Sequence, residues 1–174
     1  QRQMCIRDRV FGGFAPNELA IRIDDAKPKA LVTASCGIEF TNIIEYKPLV
    51  DEAIRISSHA PETVILLQRS QAKASIQAGR DFDWNDLMSS ANPVDPVPVD
   101  ATDPLYILYT SGTTGLPKGV IRENGGHAVA LKYSMKAIFN TNPGEVYWAG
   151  SDVGWVVGHS YIVYAPLIHG CSTI

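Results

Sequence analysis

An α/β fold built on a largely parallel sheet flanked by helices is what this 174-residue chain predicts, on three observations. Short runs rich in apolar, β-branched and aromatic residues recur at Ala30–Ala34, Thr63–Leu67 and 105–109. Segments with an apolar stripe at helical spacing alternate with them. The middle run is apolar from Val64 onward, as in strands covered on both faces of a parallel sheet. Strands alternating with helices in this way pack the helices against the sheet.

Pro16 suits the first turn of a helix running to about Ala26, with Leu19, Ala20 and Ile23 facing inward. Ala30–Ala34 follows as a strand. Pro48 can open a second helix, with Leu49, Ala53 and Ile56 along one face. Thr63–Leu67 is the next strand and 83–88 a short helix. Residues 92–100 hold three prolines and no periodicity, which reads as a rigid connector. The run at 105–109, bounded by Pro104, reads as a buried strand. Beyond Gly119 come a helix near 126–139, a strand at 146–149, a helix near 159–169 and a strand-like end at 171–174.

The organisation expected is a non-native leader at 1–9, an α/β part at 10–91, the connector at 92–100 and a second part at 101–174. The leader is polar and basic and lacks the apolar centre of a signal peptide; a native basic arm is the other reading. The strand-like end after Gly170 has no closing element, so a fragment is expected.

Composition bounds the function classes. Hydrophobic residues make up 45% and charged ones 19%, enough for a sizeable core. Net charge is −3 with Lys and Arg scattered, which gives no electrostatic footprint for nucleic acid. The longest apolar run, 161–168, contains Pro166 and falls short of the roughly 18 residues that span a membrane. Cys5, Cys36 and Cys171 are odd in number and unpatterned, which fits free thiols in the cytoplasm or an organelle matrix. His59, His127, His159 and His169 lack the spacing of a metal set. Asp24, Asp25, Asp81 and Asp83 are most simply solvated, and Asp152 serves the fold around Gly154.

One loop carries chemistry. Thr110, Ser111, Gly112, Thr113, Thr114, Gly115, Leu116, Pro117, Lys118 and Gly119 follow the 105–109 strand directly. Glycines let backbone N–H groups approach an anion, the hydroxyls add donors, and Lys118 supplies positive charge. A Walker A loop fails here, because counting from Gly112 puts Pro117 where the second glycine belongs. The dinucleotide fingerprint fails too, since Thr113 and Thr114 separate Gly112 from Gly115. A nucleotide phosphate loop of another kind is the best reading; an ordinary polar surface loop is the alternative.

The 109–120 stretch resembles the phosphate-loop signature of the adenylate-forming enzymes, among them the acyl-CoA synthetases. Residues 151–161, Ser-Asp-Val-Gly-Trp-Val-Val-Gly-His-Ser-Tyr, resemble the segment lining the acyl pocket of the short-chain acyl-CoA synthetases. Residues 10–16, Val-Phe-Gly-Gly-Phe-Ala-Pro, are similar to their coenzyme A contact region, and 122–132 resembles propionyl-CoA synthetases more than acetyl-CoA synthetases. The resemblance runs from Val10 to Ile174 and implies an incomplete part of the large N-terminal domain.

That resemblance implies an ATP-dependent ligase that adenylates propionate or acetate and then transfers the acyl group to coenzyme A. ATP with Mg2+ and coenzyme A would be used, and the partners would be small molecules, without nucleic acid or membrane. Thr110, Ser111, Gly112, Thr113, Thr114, Gly115, Lys118 and Gly119 would hold the phosphates, with Lys118 catalytic. Trp155, Val156 and Val157 would line the acyl pocket, although residue chemistry alone makes Trp155 a core tryptophan. Phe11, Gly12 and Gly13 would meet coenzyme A. Where acetyl-type enzymes carry two arginines for the coenzyme A phosphate, this chain has Glu39 and Asn42, and nearby Lys47 is a substitute without support from spacing. Acetyl-type enzymes also tend to have threonine where Val157 stands. The family's adenine motif, magnesium-binding glutamate and C-terminal catalytic lysine have no counterpart here. A free-standing nucleotide-binding module and an adenylating ligase for another acid are the rival readings.

Overall fold

The computed structural model describes residues 7–8, 15–110 and 117–174. It divides into two compact units, one of residues 12–95 and one of residues 1–11 with 96–174.

In the unit of residues 12–95, helix α1 spans Pro16–Ala26. Pro16 occupies the first turn, where its missing N–H costs nothing, and Glu18 lies at the positive end of the helix dipole. Lys27 ends the helix in the left-handed region at φ 46°, its N–H on the Ile23 carbonyl, and Pro28 prevents continuation. Strands β2 (Ala30–Ala34), β5 (Thr63–Leu67) and β6 (Asp81–Asp83) form a parallel sheet in the order β2-β5-β6. Between β2 and β5 lie an antiparallel hairpin, β3 (Cys36–Glu39) with β4 (Asn42–Glu45), and helix α2 (Tyr46–Ile56). Helix α3 (Trp84–Ser90) follows β6.

The core of this unit joins Ala20 and Ile23 of α1 to Ala53 of α2, with Leu19, Leu31 and Ile54 packed around them. Val64 and Leu66 are fully buried, but Leu67 is exposed and Ile65 only half-buried. The expected burial of Thr63–Leu67 on both sides is therefore corrected to one covered face. Val32, Ile65 and Phe82 stand in one cross-strand row on the other face, with Val32 63% exposed.

Three further expectations are corrected here. Helix α2 starts two residues before Pro48, which sits in its first turn; Ala53 faces inward as expected, but with Lys47 and Val50 rather than with Leu49 and Ile56. Ile56 is exposed. Asp81 is buried, not solvated: Lys47 Nζ lies 2.8 Å from its Oδ2 and Arg80 Nε 2.6 Å from its Oδ1. Asp51 completes the network with Lys47 at 2.7 Å and Arg80 at 2.5 Å. Asp83 caps α3, accepting the N–H groups of Asn85 and Asp86. Asp24 accepts those of Ser58 and His59, which ties α1 to the chain beyond α2.

In the other unit, β7 (Pro104–Thr110) pairs in parallel with β1 (Arg7–Asp8) and antiparallel with β8 (Lys118–Glu123). Strand β8 falls outside the sequence-based expectation and adds an antiparallel partner to the parallel pair β1–β7, as the β3–β4 hairpin adds an antiparallel pair in the other unit. Helix α4 (Asn124–Ala137) leads to β9 (Val146–Tyr147), which pairs in parallel with β10 (Ser172–Thr173). Between β9 and β10 runs one helical stretch: α5 (Val156–Gly158), a π-helical turn (His159–Tyr164) and α6 (Ala165–His169). Leu131, Met135, Ala165 and Cys171 form its core, with Tyr147, Tyr161 and Tyr164 against them. Cys36 and Cys171 are both buried free thiols.

Burial alone would raise the Asp81 pKa, but hydrogen bonds from Arg80, Lys47 and the Gln77 N–H outweigh it and hold the carboxyl at about 2. A depressed carboxyl contributes stability above its unfolded value of 3.8, lost as pH falls through that value toward about 2. The loss amounts to about 2 kcal/mol for this group. Asp81→Asn should cost roughly 3 kcal/mol at neutral pH, because Lys47 keeps a buried charge with Asp51 as its remaining carboxylate. Urea denaturation at pH 7 and pH 3 checks both: the gap between wild type and variant must narrow at pH 3.

Candidate functional site

Residues 111–116 lie outside the described residues, and so do Phe11, Gly12 and Gly13. What the structure does place is the stem of the loop. Thr110, last in β7, is the cross-strand partner of Lys118, first in β8, and Tyr109 is the partner of Gly119. The two ends of the donor-rich segment therefore stand side by side. The Lys118 side chain is exposed. Gly119 is small for a reason: a Cβ there would lie 3.0 Å from Ile107 Cγ2 and 3.3 Å from the Tyr109 ring.

Further along, Asp152 Oδ1 accepts the Gly154 N–H at 2.7 Å, the role expected of it. The Asp152 carbonyl accepts the Trp155 N–H, and the Trp155 carbonyl accepts that of His159. Gly158 sits against this turn so closely that a Cβ would be 1.9 Å from the Asp152 oxygen. The tight turn leaves Trp155, Val156 and Val157 on the surface, with Trp155 57% exposed. It is no core tryptophan of this unit. The three apolar side chains form a consecutive exposed run.

The same unit holds a group of rings that sequence reasoning passed over. Tyr106 of β7 is fully buried. Its hydroxyl is hydrogen-bonded to His127 Nε2 of α4 at 3.2 Å, with the direction set by the imidazole tautomer. The buried His159 ring stands 4.2 Å from the Tyr106 ring, centre to centre, at 62°, and Tyr164 stacks on Tyr106 at 5.9 Å. Alternation along β7 was the available signal, since Tyr106 and Leu108 are its buried residues. Burial first, and then the nearby charge of Arg122, lower the His127 pKa from its ordinary 6.5.

Glu39 and Asn42 are the last cross-strand pair of the β3–β4 hairpin, and Phe40 at its turn has φ 53° and is 97% exposed. Lys47 is no substitute cation: its side chain is 4% exposed and held by Asp51 and Asp81. A cleft of about 230 Å³ beside it is lined by Ser35, Glu45, Pro48, Lys73 and Ser75, among others. Among the described residues no group of three His, Cys, Asp or Glu side chains is arranged to hold a metal ion. No helix among them is long and apolar enough to cross a membrane.

The sequence profile of the AMP-binding enzymes matches residues 9–174. The chain belongs to this family. Among its relatives, an uncharacterised protein of Pseudomonas aeruginosa is 60% identical over 170 residues, which cover 98% of this chain and 27% of the relative. The mouse mitochondrial acyl-CoA synthetase short-chain family member 3 is 55% identical over 171 residues, covering 98% and 25%. The propionate–CoA ligase of Escherichia coli is 50% identical over 173 residues, covering 98% and 27%. The chain thus spans about a quarter of the length of the curated relatives it matches.

Gly158→Ala should destabilise the 96–174 unit by roughly 1–3 kcal/mol, because the added methyl meets a backbone oxygen that cannot swing away. Gly119→Ala should cost less, its nearest neighbour being a side-chain methyl. Thermal denaturation of the two variants side by side gives the comparison; equal melting temperatures would contradict it.

Proposed function

We propose that this chain is the triphosphate-binding part of an ATP-dependent short-chain acyl-CoA synthetase acting on propionate in preference to acetate. The observation that carries the reading is the stem Thr110–Lys118, which brings a lysine to the base of a loop rich in glycine and hydroxyl residues. The family match and the names of the relatives support it.

A carboxylate is a poor electrophile and needs a leaving group before a thiol can displace it. The acid's oxygen attacks the α-phosphorus of ATP, the bond to the β-phosphate oxygen breaks, and pyrophosphate leaves. Coenzyme A thiol then attacks the acyl carbon and AMP departs. In this reading Thr110, Ser111, Gly112, Thr113, Thr114, Gly115 and Gly119 hold the phosphates through N–H and hydroxyl donors. Lys118 offsets the charge that grows on pyrophosphate. Holding the triphosphate for in-line attack contributes by positioning. Mg2+ arrives with the nucleotide, and no step is assigned to it because the described residues supply no ligand set.

Trp155, Val156 and Val157 form one wall of the acyl pocket, with the indole limiting chain length. Phe11, Gly12 and Gly13 lie on the coenzyme A side. Residues 10–91 and 101–174, joined by 92–100, are read as the two working parts, with 1–9 a leader outside them. The cytoplasm or the mitochondrial matrix is the proposed location.

In the full-length synthetase, Lys118→Ala should slow propionate-dependent ATP–pyrophosphate exchange by roughly 10²–10³ while propionate binding changes little. Exchange at the wild-type rate would remove the role given to Lys118. Across acetate, propionate, butyrate and octanoate, kcat/KM should peak at propionate. Acetate should remain measurable, since one methylene is worth about 1–3 kcal/mol in an apolar pocket. A preference for octanoate would remove Trp155 as the limit on length.

A further inference from the structure

The β7–β8 hairpin has a register to keep. Its pairing passes from Pro104 with Glu123 to Tyr106 with Arg122, so Leu105 is an extra residue that bulges out of the ladder. Because side chains alternate along a strand, a slip of one residue beyond the bulge would turn Lys118 to the opposite face. Backbone hydrogen bonds are alike in the two registers and cannot choose between them. The choice has to come from a side chain that fits in only one.

Tyr106 is the first paired residue after the bulge and has such a fit. Its ring is enclosed by His159 and Tyr164, and its hydroxyl meets His127 Nε2. In either slipped register Leu105 or Ile107 would enter the slot, and His127 would face a hydrocarbon. Resting on the function proposed above, we infer that Tyr106, His127 and His159 are positioning residues that lock the register of this hairpin and thereby fix the side on which Lys118 is presented. His127 comes from α4 and His159 from the π-helical turn, so the lock draws on two further elements of the same unit.

The test uses the full-length protein with Tyr106→Phe, His127→Leu, His127→Gln and the Tyr106→Phe/His127→Leu double variant. Two readouts are taken: ATP–pyrophosphate exchange kinetics, and hydrogen exchange of the backbone amides of residues 118–123. His127→Leu should lower kcat/KM for ATP about tenfold, the effect of one lost buried hydrogen bond, and speed amide exchange in 118–123. KM for coenzyme A and amide exchange in α4 should stay as in wild type. His127→Gln places an amide nitrogen near the position of Nε2 and should restore both readouts. The double variant should lose no more than the worse single variant, because both break one contact. Faster exchange throughout α4 without rescue by glutamine would overturn the inference, as would wild-type values in every variant. Should the wild type catalyse no ATP–pyrophosphate exchange while 118–123 follows the expected pattern, the proposed function falls and the register lock stands.

Discussion

Burying a phenol ring without wasting its hydroxyl requires a partner at one place and apolar walls everywhere else. In β7 that demand falls on Tyr106, and its satisfaction organises much of the unit around it. The partner is an imidazole from α4, and the walls are rings from the π-helical turn. A strand, a helix and a wide helical turn thus converge on one side chain four residues before Thr110. Burial, ahead of the nearby charge of Arg122, lowers the His127 pKa and so favours the neutral imidazole. Moving any one of the three elements separates rings that touch the other two.

The unit of residues 12–95 is governed by a different constraint, the cost of dehydrating charge. Lys47 and Asp81 are both out of water, and neither would be tolerable alone. Arg80 and Asp51 close the set at two cations and two carboxylates, with Asp51, 41% exposed, as its hydrated end. The network joins α2 to the start of β6, and so fixes how that helix lies on the sheet. A lysine held by two carboxylates in this way is not free to meet another anion.

Where side-chain pattern alone decides, the sequence was readable. Pro16 and the stripe Leu19–Ala20–Ile23 place α1 correctly, and Thr63–Leu67 is a strand with the bounds its composition suggests. The phase of α2 was not readable, because Lys47 counts as polar until its partners are known. Strand β8 was hidden for a related reason. Lys118, Gly119, Arg122 and Glu123 look like loop residues, and their pairing to β7 is a long-range fact that no local pattern encodes. The loop signature itself was legible in ten consecutive residues, whereas Tyr106, His127 and His159 are scattered over 54 positions and only the fold brings them together.

The π-helical turn gives the last link between local chemistry and the site. Pro166 has no N–H to return to a carbonyl one turn earlier, so the stretch from Val156 to His169 cannot run as an even α-helix. The Ala165 N–H reaches instead to the Ser160 carbonyl, five residues back, which widens the turn. The widened turn directs His159 and Ser160 inward, while Trp155, Val156 and Val157 just before it stay on the surface. His159 thereby reaches Tyr106, while the three residues before Gly158 stay exposed. A single proline therefore helps separate the inward residues that meet the β7 strand from the apolar residues left on the surface. Any substitution restoring an N–H at 166 should be judged by whether that division survives.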